Sequence, residues 1–374
     1  MTDFLQPSLA IAPIRDALLR LDPSGMMLTS HHLLLVKLVL ESRAFNAATP
    51  VLEKHILYFP GLSHQPKPKF ICDLSLAPTQ YVTASSGLTS KLKPVEILEY
   101  FYYSGMVYIG LRNWEMALEC LENAVTYPAK EGAVSKVMAE AYKKWVLVGL
   151  LLEGKPLPLP KTTPGNASKQ YHILGKPYDT VAQLFEAASA SRLKAEVEAG
   201  TRIWQNDCNT GLMLLVLSAY QKFQIKSLAN IYSKISIQEI FNQTMSAETG
   251  IKLPHVQAAE ALVRGMIQDG SLQATMSNSP NFGSILTFIA GRQTLSEAQM
   301  QQELAASTHR IQELTKEIKQ TDRMLTHDKE YIKFAQKQKK NSKMSSGDQA
   351  VSMGGPSMDW SGGIEDEDLM GGLY

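Results

Sequence analysis

Along the first two thirds of the chain, apolar residues recur at helical spacing, and the runs break at clusters of Pro, Gly and Ser. Residues 28–40 read as one helix and about 46–57 as a second, with Ala48, Leu52 and His55 inside and Pro60 after it. The arrangement returns where Gly105 and Tyr108 precede Ala117, Leu121 and Ala124, and Pro128 follows. Small residues suit a close helix crossing, and a proline marks the end of the second helix, as in tetratricopeptide repeats. Ala48 and Ala117 are 117 − 48 = 69 residues apart, about two such periods of roughly 34 residues. Units of this kind bury their apolar faces only by stacking, so the pattern predicts a helical solenoid. Residues 60–94, rich in Pro, Ser and Thr, read as a long connection with room for a short strand or helix near Phe70 to Leu76.

The next helix, Ala133 to Glu153, places Val137, Met138, Ala141, Tyr142, Trp145 and Val148 on one side, and Pro156, Pro158 and Pro160 end it. Short helices over 167–173, 180–187 and 189–199 continue the stack. Residues 211–234 supply one or two more, with Leu214, Leu217, Tyr220, Leu228 and Ile231 available to the core. The pattern changes at Ser236, which reads as an N-cap with Glu239 three residues on, the spacing of a capping box. Ile237, Ile240, Phe241 and Met245 then share one face of a short helix. Pro254 opens a second helix that turns Val256, Ala259, Leu262, Val263, Met266 and Ile267 inward, and Gly270 ends it. Leu272 to Met276 and Ser284 to Ile289 read as two strands around a turn at Ser277 to Asn281. Helix, helix, strand, turn, strand is the winged-helix order.

Beyond Leu295, Leu304, Ile311, Ile318, Leu325 and Ile332 recur every seven residues. Leu314, three after Ile311, belongs to a second row whose other positions, Ser307, Thr321 and Asp328, are not apolar. No Pro or Gly falls between Gln293 and Asn341, so a helix of about 45 residues, near 70 Å long at 1.5 Å per residue, is expected. A single row is too narrow for a two-stranded coiled coil and suits docking among several partner helices. From Ser342 the chain turns to Gly, Ser, Met and acid, ending in Ile364-Glu365-Asp366-Glu367-Asp368-Leu369-Met370, and reads as a disordered acidic tail.

Charge and composition narrow the function. A net charge of +1 over 374 residues gives no global attraction to nucleic acid or anionic lipid. In the winged helix, the helix that would enter a DNA groove offers His255 and Arg264 against Glu260 and Asp269. No Lys or Arg lies between Leu272 and Ile289. Phosphate neutralisation needs clustered cations, so protein contact is the better reading and direct nucleic-acid binding is not expected. Cys72, Cys120 and Cys208 are widely spaced and odd in number, which indicates neither a disulfide framework nor a zinc site and fits a reducing compartment. The greasiest run, Trp145 to Leu152, is far shorter than the roughly 20 residues of a membrane span, and the first residues lack the pattern of a secretion signal. No phosphate-binding glycine loop, HExxH or GxSxG is present, and the eight histidines lack metal-ligand spacing. Neither catalysis nor a cofactor is expected.

Helical repeats, the segment from Gln221 to Ser236 and the winged helix after it together resemble the PCI-domain family. That family is shared by the proteasome lid, the COP9 signalosome and a translation initiation factor. Tyr102-Tyr103-Ser104-Gly105-Met106-Val107-Tyr108-Ile109-Gly110-Leu111, with Trp114 to Leu118 and Ala141 to Val148, is similar to the signalosome branch. The expected fold is mainly α: a TPR-like helical-repeat solenoid (1–165), a PCI domain (166–291, its helical part 166–235 and winged helix 236–291), a C-terminal bundle helix (292–340) and the tail (341–374). The resemblance implies a non-catalytic scaffold in the complex that removes a ubiquitin-like modifier from cullins. Its partners would be other PCI and metalloprotease-like (MPN) subunits and, indirectly, cullin-RING ligases, in cytoplasm and nucleus. Two surfaces are expected to make the contacts: the helix row of Leu304, Ile311, Leu314, Ile318, Leu325 and Ile332, and a winged-helix strand edge at Leu272, Ala274, Met276, Ile285, Thr287 and Ile289. A proteasome-lid or initiation-factor subunit and a nucleic-acid-binding winged helix remain as alternatives.

Overall fold

The computed structural model describes residues 7–59, 81–128, 134–279, 283–289 and 297–326, together with 332, 333 and 336. The chain divides into two compact units, Met1–Ala290 and Gly291–Tyr374. The first opens with α1 (Pro7–Leu21), α2 (Ser30–Ser42) and a one-turn α3 (Thr49–Leu52). Thr29 begins α2 from an extended backbone, its N–H donating to His32 Nδ1 at 3.1 Å. The helix expected over 46–57 is reduced to a 3₁₀ turn at Phe45–Ala47 and α3. Ala48 and Leu52 are buried and His55 is exposed. The element expected near Phe70 to Leu76 lies outside the described residues.

α4 (Pro94–Gly110) and α5 (Trp114–Val125) form the best-defined helix pair. Ala117, Leu121 and Ala124 are fully buried. A Cβ on Gly105 would lie 2.9 Å from Leu121 Cγ, so the glycine lets the two helices approach closely. Next comes α6 (Lys136–Glu153), whose N-cap Ser135 accepts a hydrogen bond from Met138 N at 3.2 Å. Burial on α6 exceeds the single face expected: every residue from Lys144 to Leu150 is buried. The reason is that α6 packs against α4, α5, α7 (Gly165–Leu174), α8 (Lys176–Glu186) and α11 (Thr210–Leu228). Two short helices, α9 (Ala190–Ala199) and α10 (Thr201–Asn206), precede α11.

Polar side chains fasten these layers where apolar packing alone would leave them free to slide. Lys143 Nζ lies 2.9 Å from both Glu140 and Asp207. Tyr178 donates to Asp207 at 2.8 Å and accepts from Asn209 Nδ2 at 2.8 Å. The network joins α6, α8 and the turn before α11. One continuous apolar core runs from Ile11 through Tyr220 without a break at residue 165.

A second core begins at Ile225, inside the last turns of α11. There β1 (Lys234–Ser236) leads into α12 (Ile237–Gln243), α13 (Val256–Gln268), β2 (Ala274–Ser279) and β3 (Gly283–Phe288). Ser236 caps α12, its Oγ accepting from Glu239 N at 3.2 Å. Gly270 takes the left-handed φ of +68° just past α13. The strand β1 was not expected. It pairs antiparallel with β3, giving a sheet of order β1-β3-β2. The turn expected at Ser277 to Asn281 begins later, because Ser277 to Ser279 belong to β2. Met245 is exposed because α12 stops at Gln243, and Pro254 lies two residues ahead of α13. Leu214 and Ile231, both expected inside, are exposed.

The second unit contains α14 (Glu297–Thr326), 30 residues and so about 45 Å long at 1.5 Å per residue. Residues 332, 333 and 336 are also helical, and the expected acidic tail lies outside the described residues.

Candidate assembly surfaces

The sheet register decides which strand can pair with another chain. In an antiparallel ladder, alternate residue pairs exchange both backbone bonds. Ile289 N donates to Gln273 O at 3.0 Å, and Phe288 N donates to Ser233 O at 2.9 Å. Counting along the register from these two bonds, Ile285 and Thr287 direct their backbone groups to β2, and Leu286 and Phe288 direct theirs to β1. From Ile285 to Phe288, strand β3 is therefore paired on both sides. The same alternation leaves Ala274, Met276 and Asn278 presenting N–H and C=O groups on the outer side of β2.

This changes the expected edge. Ile285 and Thr287 belong to the central strand, and Ile289 continues its pairing with β2, so none of the three can accept a further strand. Leu272 is no edge residue either, since its N–H donates to Met266 O and its side chain is buried. Ala274 and Met276 lie on the free edge by backbone, while Ala274 is buried in the winged-helix core and Met276 is packed against it. Sequence reasoning missed this division because the three residues of β1 show too little alternation to read as a strand. No Lys, Arg, Asp, Glu or Pro lies within β2, whereas exposed edges are commonly blunted by charge or proline.

On α14 the described side chains of the expected row are exposed. Ile311 and Ile318 are 63% and 61% exposed, Leu304 and Leu314 are exposed as well, and Met300 one heptad before Ser307 joins them. Ile332 further along is also exposed, and the side chain of Leu325 lies outside the described ones. A heptad repeat drifts by about 20° per heptad on a straight helix, so this stripe winds slowly around α14. Fully burying one such Leu or Ile is worth about 1.5–3 kcal/mol.

Among the described residues, no three His, Cys, Asp or Glu come together as a metal site. No described helix is long and apolar enough to cross a membrane. Buried ionisable groups serve the packing: burial lowers the pKa of His32 to about 4 and raises that of the Cys120 thiol to about 12.

Comparison with known proteins agrees with the fold. A family model described as the N-terminal helical repeats of COP9 signalosome complex subunit 3 matches residues 1–165. COP9 signalosome complex subunit 3 of Neurospora crassa is 41% identical over 374 residues, covering 98% of this chain and 74% of that protein. The subunit of the same name from Emericella nidulans is 33% identical over 371 residues, covering 98% of this chain and 73% of that protein. Mainly α, with stacked helix pairs followed by a winged helix, the chain belongs to the COP9 signalosome complex subunit 3 family.

Proposed function

We propose that this chain is a non-catalytic scaffold subunit of the COP9 signalosome, joined to its neighbours through the outer edge of β2 and the apolar row of α14. The carrying observation is that row: four large aliphatic side chains, Leu304, Ile311, Leu314 and Ile318, lie exposed on one helix. A largely polar helix with a single apolar stripe gains little by standing alone, and burial of the stripe among partner helices supplies the missing stabilisation. The β2 edge adds strand pairing with another winged helix. By the family resemblance, the neighbours are PCI and metalloprotease-like (MPN) subunits. The bond cut is between a cullin and its ubiquitin-like modifier, and the metal chemistry belongs to a different subunit. The complex would act in cytoplasm and nucleus.

The test is purification of the tagged chain from its own cells beside a truncation ending at Arg292 and the double variant Ile311→Asp/Ile318→Asp. Co-purifying subunits should fall at least tenfold with either change, while the double variant alone keeps its helical circular dichroism. Unchanged incorporation of the double variant would remove α14 from the assembly. Proteasomal or ribosomal partners in place of signalosome subunits would overturn the choice of complex.

A further inference from the structure

Two isoleucines near the winged helix keep their side chains exposed. Ile231, 73% exposed, lies in the turns after α11, and Ile289, 54% exposed, directly follows β3. They line one groove of about 320 Å³ together with Leu272, Phe288 and Lys226. Leu272 and Phe288 are buried members of the winged-helix core, so the groove combines core apolar atoms with the exposed ones of Ile231 and Ile289. Its backbone is settled as well, since Phe288 N and Ile289 N are both used within the sheet. Neither of these two N–H groups is free to pair with an added strand, which separates this groove from the β2 edge.

Among the described residues lining the groove, Lys226 is the one that carries charge. Its ammonium lies 5.0 Å from the centre of the Phe223 ring and has no ion-pair partner among the described residues. Burial and the nearby Lys222 lower its pKa. A carboxylate brought next to Lys226 would oppose both effects, whereas a second cation would add to them.

We propose that this groove seats a large apolar side chain from a neighbouring subunit, with an Asp or Glu of the same segment placed against Lys226. The proposal rests on reading the chain as an assembly subunit and adds a third contact, specific for an acidic-apolar segment. Apolar burial supplies affinity and the single cation selects the segment, since a lysine in place of the acid would meet an already disfavoured ammonium.

To test this, Ile231 is replaced by the photo-cross-linking residue p-benzoylphenylalanine in the full chain, expressed in its own cells. The complex is irradiated and purified, and cross-linked peptides are identified by mass spectrometry. The expected adduct is a peptide of another subunit with Asp or Glu within about four residues of the captured position, roughly one helical turn. Lys226→Glu should cut adduct yield at least tenfold and Lys226→Gln by less, with the same subunits still co-purifying. Adducts confined to this chain, capture of a segment without carboxylates, or a yield indifferent to Lys226→Glu would each overturn the proposal. So would the absence of any adduct in a complex whose subunits still co-purify. If no subunits co-purify with the unsubstituted chain, the assembly reading itself fails.

Discussion

Helices α6 and α14 use the same aliphatic residue types to opposite ends. On α6, Leu147, Val148 and Leu150 are fully buried, because five other helices of the chain surround it. On α14, Leu304, Ile311, Leu314 and Ile318 are exposed, and most of the positions between them are polar. The transfer free energy of each side chain is similar in the two places, about 1.5–3 kcal/mol. In α6 it stabilises the fold of this chain, and in α14, on the function proposed above, it is left for association. Periodicity therefore reports that a face will be buried, and its width reports whether the chain itself provides the cover.

The sharpest way to break this comparison is to truncate one residue on each helix. Leu147→Ala should cost about 2–5 kcal/mol of stability through lost transfer energy and a cavity among five packed helices. Ile318→Ala should change the stability of the isolated chain by less than about 0.5 kcal/mol, as expected of an exposed site. Urea unfolding of both variants reads the difference directly. Similar losses would mean that α14 is covered within the chain and is not held for partners.

Acid offers a second way, because the solenoid core encloses an ionisable group. His32 is buried near Tyr100, with its Nδ1 accepting from Thr29 N. Its pKa is lowered to about 4, chiefly by burial, with the charge of Asp22 acting in the opposite sense. The unfolded chain takes up this proton near pH 6.5 and the folded chain only near pH 4, so stability falls as pH drops through that window. The loss from this one residue is roughly 3 kcal/mol at one pKa unit per 1.36 kcal/mol. In His32→Gln, which can still pair with Thr29, the part of the acid loss between pH 6.5 and 4 should shrink. An unaltered pH profile in that variant would show that other groups govern acid stability.

Much of the architecture was legible because it is written in local chemistry. Ser236 with Glu239, Gly270 and the small residues Gly105 and Ala117 each impose a backbone or packing choice that needs no distant partner. What escaped the sequence depends on distant residues. Strand β1 is three residues long and exists because β3 lies beside it. Lys143, Asp207, Tyr178 and Asn209 form one network across 66 positions of chain, 209 − 143. Ile231 fits a helical period with Leu228, yet α11 ends at Leu228 and leaves it exposed. The strand edge was half legible: the segment was right for β2, but only the pairing with β1 shows that β3, with Ile285 and Thr287, is the central strand.

A smaller loss than those of Leu147→Ala or of acid falls at the joint between the two cores of the first unit. Ser236 is both the last residue of β1 and the cap of α12, and its Oγ takes the otherwise unpaired N–H of Glu239. Ser236→Ala should cost about 1 kcal/mol, and Ser236→Asp, which keeps an acceptor at the cap, should restore most of it. Because the winged helix has its own core from Ile225 onward, the loss should remain local. Hydrogen exchange would then show the amides of α12 and of residues 285–287 opening roughly five times more readily, the factor that 1 kcal/mol implies. Amides in α6 should keep their protection. A matching loss of protection across α6 would mean that the winged helix and the solenoid unfold as one, and that their two apolar clusters are a division of packing without a division of stability.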